Sequence, residues 1–295
     1  MGKRLKVIST KLSPYYRDGE GYETGVQTLI NILKKERKRE KEEGKPSHPI
    51  LMLLPEEEPV YSDPQGRKTP LLELGTHKKK PALFSDEDFM EALQKLGKAA
   101  KEHNAHIIFG GPEKINFKKR VAPKFEDLEN KPMSSLFLLN KGGLAVIRRQ
   151  VAHDIKISPA SIKTINIEGF NILPLNCRDF LDEDFQQSLI EYRKKSLKPE
   201  MRVKKPVHLV TVSASSDTGE LRAGFTIKHP RPYKEGLERL REVELAHKDS
   251  ILAISNRLGG KGGGIRFYKG SGHDIDHEEH SIGRDHRYGV HIIER

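Results

Sequence analysis

Short apolar segments typical of strands alternate with amphipathic segments typical of helices along most of this chain. LKVIST (5–10) and HPILMLLPEEE (48–58) are apolar runs of the length that buried strands have. Between them, residues 22–43 carry apolar side chains at helical spacing, which predicts an amphipathic helix. The same criteria predict helices at 85–105, 182–197 and 236–249, a strand hairpin at 134–151, and strands at 106–114, 164–176, 206–215, 250–258 and 288–294. This order favours an α/β protein in which helices cover a sheet.

A stretch rich in proline, glycine and lysine interrupts this alternation at 59–84, and we interpret it as a long loop. It is the best candidate for a domain boundary, but only about 60 residues precede it, which is short for an independent domain. The sequence contains no internal repeat and no other linker. We therefore expect one domain over residues 1–295.

The composition narrows the classes of function. The net charge is +11, yet the 53 basic residues are mixed with 42 acidic ones, and aromatic residues make up only 6%. Basic charge without a recognition motif or stacking aromatics indicates a solvated surface, so nucleic acid is not the expected partner. No apolar run reaches the roughly 20 residues of a membrane span, and the apolar part of the N-terminus is short for a signal peptide. A single cysteine cannot form an internal disulfide, so we expect a cytoplasmic protein without a membrane partner.

That single cysteine, Cys177, lies in LPLNCRDF, where an apolar strand pattern runs into a charged turn. A cysteine nucleophile reacts as the thiolate, so it needs a base or a positive field to lower its pKa. A strand followed by a turn and a helix N-terminus supplies such a position. The alternative is a buried, inert cysteine, because free cysteines are among the most buried residues.

Three strand ends carry an acid, a cation and a thiol in that order along the chain. Pro55-Glu56 ends one strand, Ile147-Arg148-Arg149 lies in the hairpin, and Cys177 follows a later strand. This order resembles the nitrilase, or carbon–nitrogen hydrolase, superfamily, whose members carry "PE", "YRK" and "CYD" elements in these positions. The segments IIFGG, SSLFLLNKGGLAVIRRQV, ERLREVELAHKDSILAISNRLG and FYKGS are similar to further elements of that family.

The resemblance implies a four-layer α/β/β/α sandwich and hydrolysis of a small amide or nitrile without a cofactor or metal. Carried over by position, Glu56 is the base and Cys177 the nucleophile that forms an acyl-thioester. Arg149, with Arg148 as the alternative, supplies the positive charge, and the backbone N–H of Arg178 binds the developing oxyanion. Glu57 and Glu58 compete with Glu56, but the position directly after Pro55 favours Glu56. The family also implies a homodimer or a larger homo-oligomer.

The sequence departs from the family pattern where the lysine is expected. Both candidate residues are arginines, which provide charge and hydrogen bonds but do not exchange a proton near neutral pH. The stretch between Arg149 and Cys177 contains no clear equivalent of the family's second glutamate. A second hypothesis is therefore a nitrilase-fold protein with altered or lost activity that binds a partner through its basic surface.

Three other motifs favour simpler interpretations. His273 and His277 have a spacing that would place two metal ligands on one helix face, but the glycines around them favour an exposed polar loop. GGKGGG (259–264) lacks the spacing of a phosphate-binding loop. YRKKSL (192–197) spells the family's "YRK" but follows Cys177 in a helical pattern, which indicates a solvated helix face.

Overall fold

A computed structural model of the chain describes most of its regular elements. It describes residues 2–12, 23–56, 60–62, 68–70, 87–113, 133–151, 164–176, 207–214, 231–242, 246–256, 265–271, 273–282 and 286–295. The helices in these ranges are α1 (Glu23–Glu42), α2 (Glu87–Glu102) and α3 (Arg231–Glu242). The strands are β1 (Arg4–Thr10), β2 (Ile50–Glu56), β3 (Val60–Ser62), β4 (Lys68–Pro70), β5 (Ala105–Glu113), β6 (Met133–Asn140), β7 (Gly143–Val151), β8 (Ile165–Ile167), β9 (Phe170–Asn176), β10 (Leu209–Ala214), β11 (Ile251–Asn256), β12 (Ile265–Lys269), β13 (Glu278–Ile282) and β14 (His286–Glu294).

The strands form two large sheets, and the centre of each is parallel. The first has the order β13-β14-β1-β2-β5-β6-β7, with β1, β2 and β5 parallel to one another. The second has the order β12-β11-β10-β9-β8, with β9, β10 and β11 parallel. Helices α1 and α2 connect the parallel strands of the first sheet, and α3 lies between β10 and β11 in the chain. A short ribbon of β3 and β4 stands apart from both sheets.

Alternation of side chains along the strands sorts the apolar residues into three cores. Leu5 and Val7 of β1 face the space between the sheets, whereas Ile8 packs on the opposite side with α1 and α2. In β10, Leu209 contributes to the core between the sheets, and Val210 and Val212 pack with α3. Both faces of each sheet are thus covered, which is why the central strands are nearly continuous apolar runs.

The resulting layers are α1 and α2, the seven-stranded sheet, the five-stranded sheet, and α3. This arrangement confirms the α/β/β/α sandwich that the sequence resemblance implied. None of the helices in the described ranges is both long and apolar enough to cross a membrane.

Most predicted elements in the described ranges are present, with two differences in detail. The stretch 59–84, predicted as a loop, contains the β3–β4 ribbon. The helix predicted at 236–249 begins earlier, at Arg231, and ends at Glu242, and a turn at 246–250 precedes β11. The predicted helix 182–197, including YRKKSL, lies outside the described residues, as does GGKGGG up to Gly264.

The histidine-rich segment is not the exposed polar loop that the sequence predicted. Residues 278–282 form β13, which pairs with β14 at the edge of the first sheet. His277 lies against Phe267, with 5.1 Å between ring centroids, and only 11% of its side chain is exposed. Edge strands often carry charged residues, and a short charged strand is easily interpreted as a loop from its sequence. This similarity caused the error.

A buried ionic network fastens α1 to the first sheet. Lys6 of β1 points to the helix side, where its ammonium lies 3.3 Å from Glu36 Oε2 and 2.6 Å from Glu40 Oε1. Tyr288 donates a hydrogen bond of 2.9 Å to Glu36, and Arg37 lies 2.6 Å from Glu40. Burial alone would raise the pKa of Glu40, but hydrogen bonds from Lys6 and Arg37 outweigh it and hold the pKa below its usual value.

We predict that Lys6→Met lowers the free energy of unfolding by about 3–5 kcal/mol, because it leaves two buried carboxylates without their shared cation. Lys38→Met is the matched control, since Lys38 pairs with Glu42 at 3.6 Å on the exposed face of the same helix. That pair is worth less than about 1 kcal/mol. Urea unfolding measures both variants, and equal losses would contradict the role assigned to the network.

Candidate active site

The carboxyl ends of the parallel strands from both sheets meet at one edge of the sandwich. Ser9, near the end of β1, donates a 2.7 Å hydrogen bond to the carbonyl of Ile254 in β11. Ser255 donates in return to the carbonyl of Thr10. These bonds join the two sheets directly and place their carboxyl ends side by side. In α/β sheets, this edge is where ligands bind.

The surface between the sheets changes from hydrocarbon to polar groups towards this edge. Three successive rows of paired residues cross β9, β10 and β11 on the inner side of the second sheet. The rows are Ile172–Leu209–Ile251, then Pro174–Thr211–Ala253, and finally Asn176–Ser213–Ser255. The apolar core therefore ends within four residues and opens onto a polar floor of fully or almost fully buried side chains.

Glu56 is the last residue of β2 and reaches this edge through a register shift. Leu53 pairs with Ile108, but the next pair is Glu56 with Gly110, so β2 carries one extra residue between the two pairs. The row continues from Gly110 to Leu136 of β6 and then to Arg148 of β7. Arg149 pairs with Ser135, one position further along.

The backbone therefore brings Glu56 and the two arginines to the same edge of the first sheet. Arg148 shares the row of Glu56, at three strand spacings or about 14 Å between backbones. Gly110 contributes no side chain to this row. Leu136 belongs to the core between the sheets, whereas its neighbour Phe137 packs with the helices.

Cys177 and Arg178 lie outside the described residues. The residue before them, Asn176, ends β9, is buried and pairs with Ser213 in the polar row. In the sequence, Cys177 comes directly after this polar row.

The end of β1 adds positive charge near this edge. Lys11 follows Thr10, and its pKa is lowered by burial and by the charges of Arg287 and Arg266, against the opposing effect of Glu279. Arg266 pairs with Ile254, whose carbonyl accepts the hydrogen bond from Ser9. The region around the joined ends of β1 and β11 is thus basic.

Within the described ranges, no three or more metal-ligating side chains form a cluster, and His273 and His277 are not part of one.

The sequence analysis did not identify the polar floor. In the sequence alone, its residues look like ordinary strand residues: Ser9, Thr211, Ser213 and Ser255. Their shared location becomes apparent only when the strands pair and the two sheets pack. The signal was present in PVHLVTVSAS, where hydroxyl side chains occupy every second position and would share one face. That alternation was interpreted only as a strand.

Comparison with known proteins gives likeness in structure but not in sequence. No protein-family model and no curated protein matches the chain. Among solved structures, a glutamine-dependent NAD+ synthetase from Acinetobacter baumannii superposes with a TM-score of 0.52 and 14% identity, over 99% of this chain and 45% of the synthetase. A carbon–nitrogen hydrolase from Helicobacter pylori G27 gives 0.50 and 12% identity, over 98% of this chain and 88% of that one.

An amidase from Nesterenkonia sp. superposes more loosely, with a TM-score of 0.48 and 13% identity over 99% of this chain and 90% of that one. The synthetase and the hydrolase establish the fold: this chain has the sandwich of the nitrilase, or carbon–nitrogen hydrolase, superfamily. The resemblance found in the sequence is confirmed at this level.

We predict that Ser9→Ala lowers the free energy of unfolding by about 1–2 kcal/mol, because the carbonyl of Ile254 loses its buried donor. Ser271→Ala is the control, since its side chain lies on an exposed turn and bonds only to His273 in the described structure. Thermal and urea unfolding measure the difference. Equal stability of the two variants would show that the hydrogen bond does not join the sheets.

Proposed function

We propose that the protein hydrolyses a carbon–nitrogen bond other than a peptide bond, in a small amide or nitrile, through a cysteine acyl-thioester. The observation that supports this most directly is the meeting of strand ends at one edge. Glu56 ends β2, the arginines lie in the same stretch of the sheet, and Asn176 leads into Cys177 from the facing sheet. The fold of the superfamily agrees with this use of the edge.

In the proposed reaction, Glu56 takes the proton of Cys177 and the thiolate attacks the carbon of the substrate amide. The arginine charge and the backbone N–H of Arg178 stabilise the oxyanion. Collapse breaks the carbon–nitrogen bond, and the departing nitrogen takes the proton from Glu56. Glu56 then removes a proton from water, the hydroxide attacks the thioester, and the acid leaves as Cys177 regains its proton.

The strand register changes which arginine we favour for the charge. Paired residues on neighbouring strands stand on the same side of a sheet. Arg148 pairs with Leu136, which belongs to the core between the sheets, while Arg149 pairs with Ser135 one position away. We therefore propose Arg148 as the principal cation of the site, and keep Arg149, the sequence-based choice, as the alternative.

The second candidate function is a binding or scaffold role of the same fold, with altered or lost catalysis. The reason to consider this function is chemical. An arginine holds its proton, so a mechanism that needs proton transfer from the family's lysine would fail here. The net charge of +11 would then favour an anionic partner. The two functions differ in the state of the cysteine, since only the hydrolase needs an activated thiolate.

We expect Cys177 to react with iodoacetamide at pH 6–7 much faster than an ordinary thiol, because the hydrolase needs a lowered cysteine pKa. Mass spectrometry follows the labelling. Cys177→Ala should abolish ammonia release from a panel of small amides and nitriles. Glu56→Gln should lower kcat by about 100-fold or more, since general acid–base catalysis contributes about that much. An ordinary labelling rate together with no turnover would establish the scaffold alternative.

We expect Arg148→Met to reduce kcat/KM by about 100-fold, in the range measured for loss of one oxyanion donor. Arg149→Met should reduce it by less than about fivefold, because the change keeps the length of the side chain and, in our assignment, removes no charge from the site. The unfolding midpoint of each variant serves as the control for folding. The reverse order of effects would assign the charge to Arg149.

A further inference from the structure

Two buried hydroxyls of β10 have no hydrogen-bond partner in the part of the chain that the structure describes. Thr211 and Ser213 are 0% exposed, and neither side-chain oxygen has a hydrogen-bond partner among the described residues. Buried hydroxyls in folded proteins are nearly always hydrogen-bonded, because leaving them unpaired costs stability. Ser255, in the same row as Ser213, follows this rule by donating to the carbonyl of Thr10. Within the described residues, the two hydroxyls of β10 are therefore free to bond a group that enters the site.

Both hydroxyls face the space between the sheets at the candidate active site. They alternate along β10 with Val210 and Val212, which pack with α3 on the other side. Ser213 pairs with Asn176, the residue before Cys177, and Thr211 lies one row deeper, about 7 Å along the strand. The deeper row is closed by Leu209 and its neighbours in the apolar core.

The chemistry of this floor defines the group that it would accept. None of the residues in its three rows carries a charge, so an ionised group of a substrate lying on this floor would have no counter-ion within the rows themselves. Hydroxyls both donate and accept hydrogen bonds. The floor thus fits a small neutral group such as a hydroxyl or a carbonyl, surrounded by hydrocarbon.

We propose that Thr211 and Ser213 form a substrate subsite that binds a neutral hydrogen-bonding group on the acyl chain, a few bonds from the scissile carbon–nitrogen bond. This inference rests on the proposed function, because it takes Cys177 as the point of attack. The substrate class is then an amide of a hydroxy acid or oxo acid, and a plain aliphatic amide is a poor substrate.

The test compares 4-hydroxybutyramide with pentanamide, which has a methyl group in place of the hydroxyl and the same number of heavy atoms. The native protein should prefer the hydroxyamide by about tenfold or more in kcat/KM, as expected for one or two hydrogen bonds. Thr211→Val and Ser213→Ala should each lose activity on the hydroxyamide and keep their activity on pentanamide. Thr211→Ser retains the hydroxyl and should retain the preference.

Stability separates this role from a structural one. Thr211→Val should melt no lower than the native protein, because the hydroxyl that it removes contributes no bond to the fold. A lower melting temperature with equal loss on both amides would overturn the subsite, as would a native protein that hydrolyses both amides without preferring the hydroxyamide.

Binding without turnover distinguishes failure of the subsite from failure of the proposed function. Thermal-shift titration of Cys177→Ala with each amide, into the millimolar range, gives the two affinities directly. The subsite would be supported if Cys177→Ala binds the hydroxyamide more strongly than pentanamide and if adding Thr211→Val removes this difference. This result would count even if the native protein hydrolyses neither amide. Equal affinities, or no binding of either amide, would overturn the subsite. If hydrolysis nevertheless depends on Cys177, the proposed function would remain supported.

Discussion

The contact between the two sheets is the constraint on which the rest of this structure depends. Each sheet has a helix-covered face and an inner face, and only the inner faces can bury each other. The two-residue period of the strands assigns each side chain to one of these faces. A shift of one residue in any central strand would exchange the side chains that pack between the sheets with those that pack under the helices.

The candidate site lies where the contact between the two sheets ends. The hydrocarbon of the inner faces stops where the parallel strands reach their carboxyl ends, and hydroxyl and amide side chains replace it. Some of these polar groups join the sheets, as Ser9 and Ser255 do. Others, Thr211 and Ser213, remain available to a ligand, which is the usual balance between stability and function at a binding site.

An arginine, where the sequence resemblance places the family's lysine, defines the chemical question for the proposed function. Guanidinium can hold an oxyanion through two parallel hydrogen bonds, but it does not exchange protons near neutral pH. In the proposed mechanism all proton transfers therefore pass through Glu56, and the cation acts by charge and hydrogen bonding without giving up a proton. The register shift in β2 is the feature that brings Glu56 into the row of Gly110 and Arg148.

The strands and helices were predictable from the sequence because apolar periodicity depends only on neighbouring residues, and the four-layer architecture was implied by the resemblance to the nitrilase superfamily. Glu56 at the end of a strand and Asn176 leading into Cys177 were found in this way. The proposed preference for Arg148 over Arg149 was not predictable, since it rests on a register shift in β7 opposite Leu136 and Phe137. Nor was the polar floor, because residues 176, 213 and 255 become neighbours only when β9, β10 and β11 pair, and Ser9 lies beside them only when the two sheets pack. Local pattern determined the elements, whereas the pairing of distant strands decided which side chains share a site.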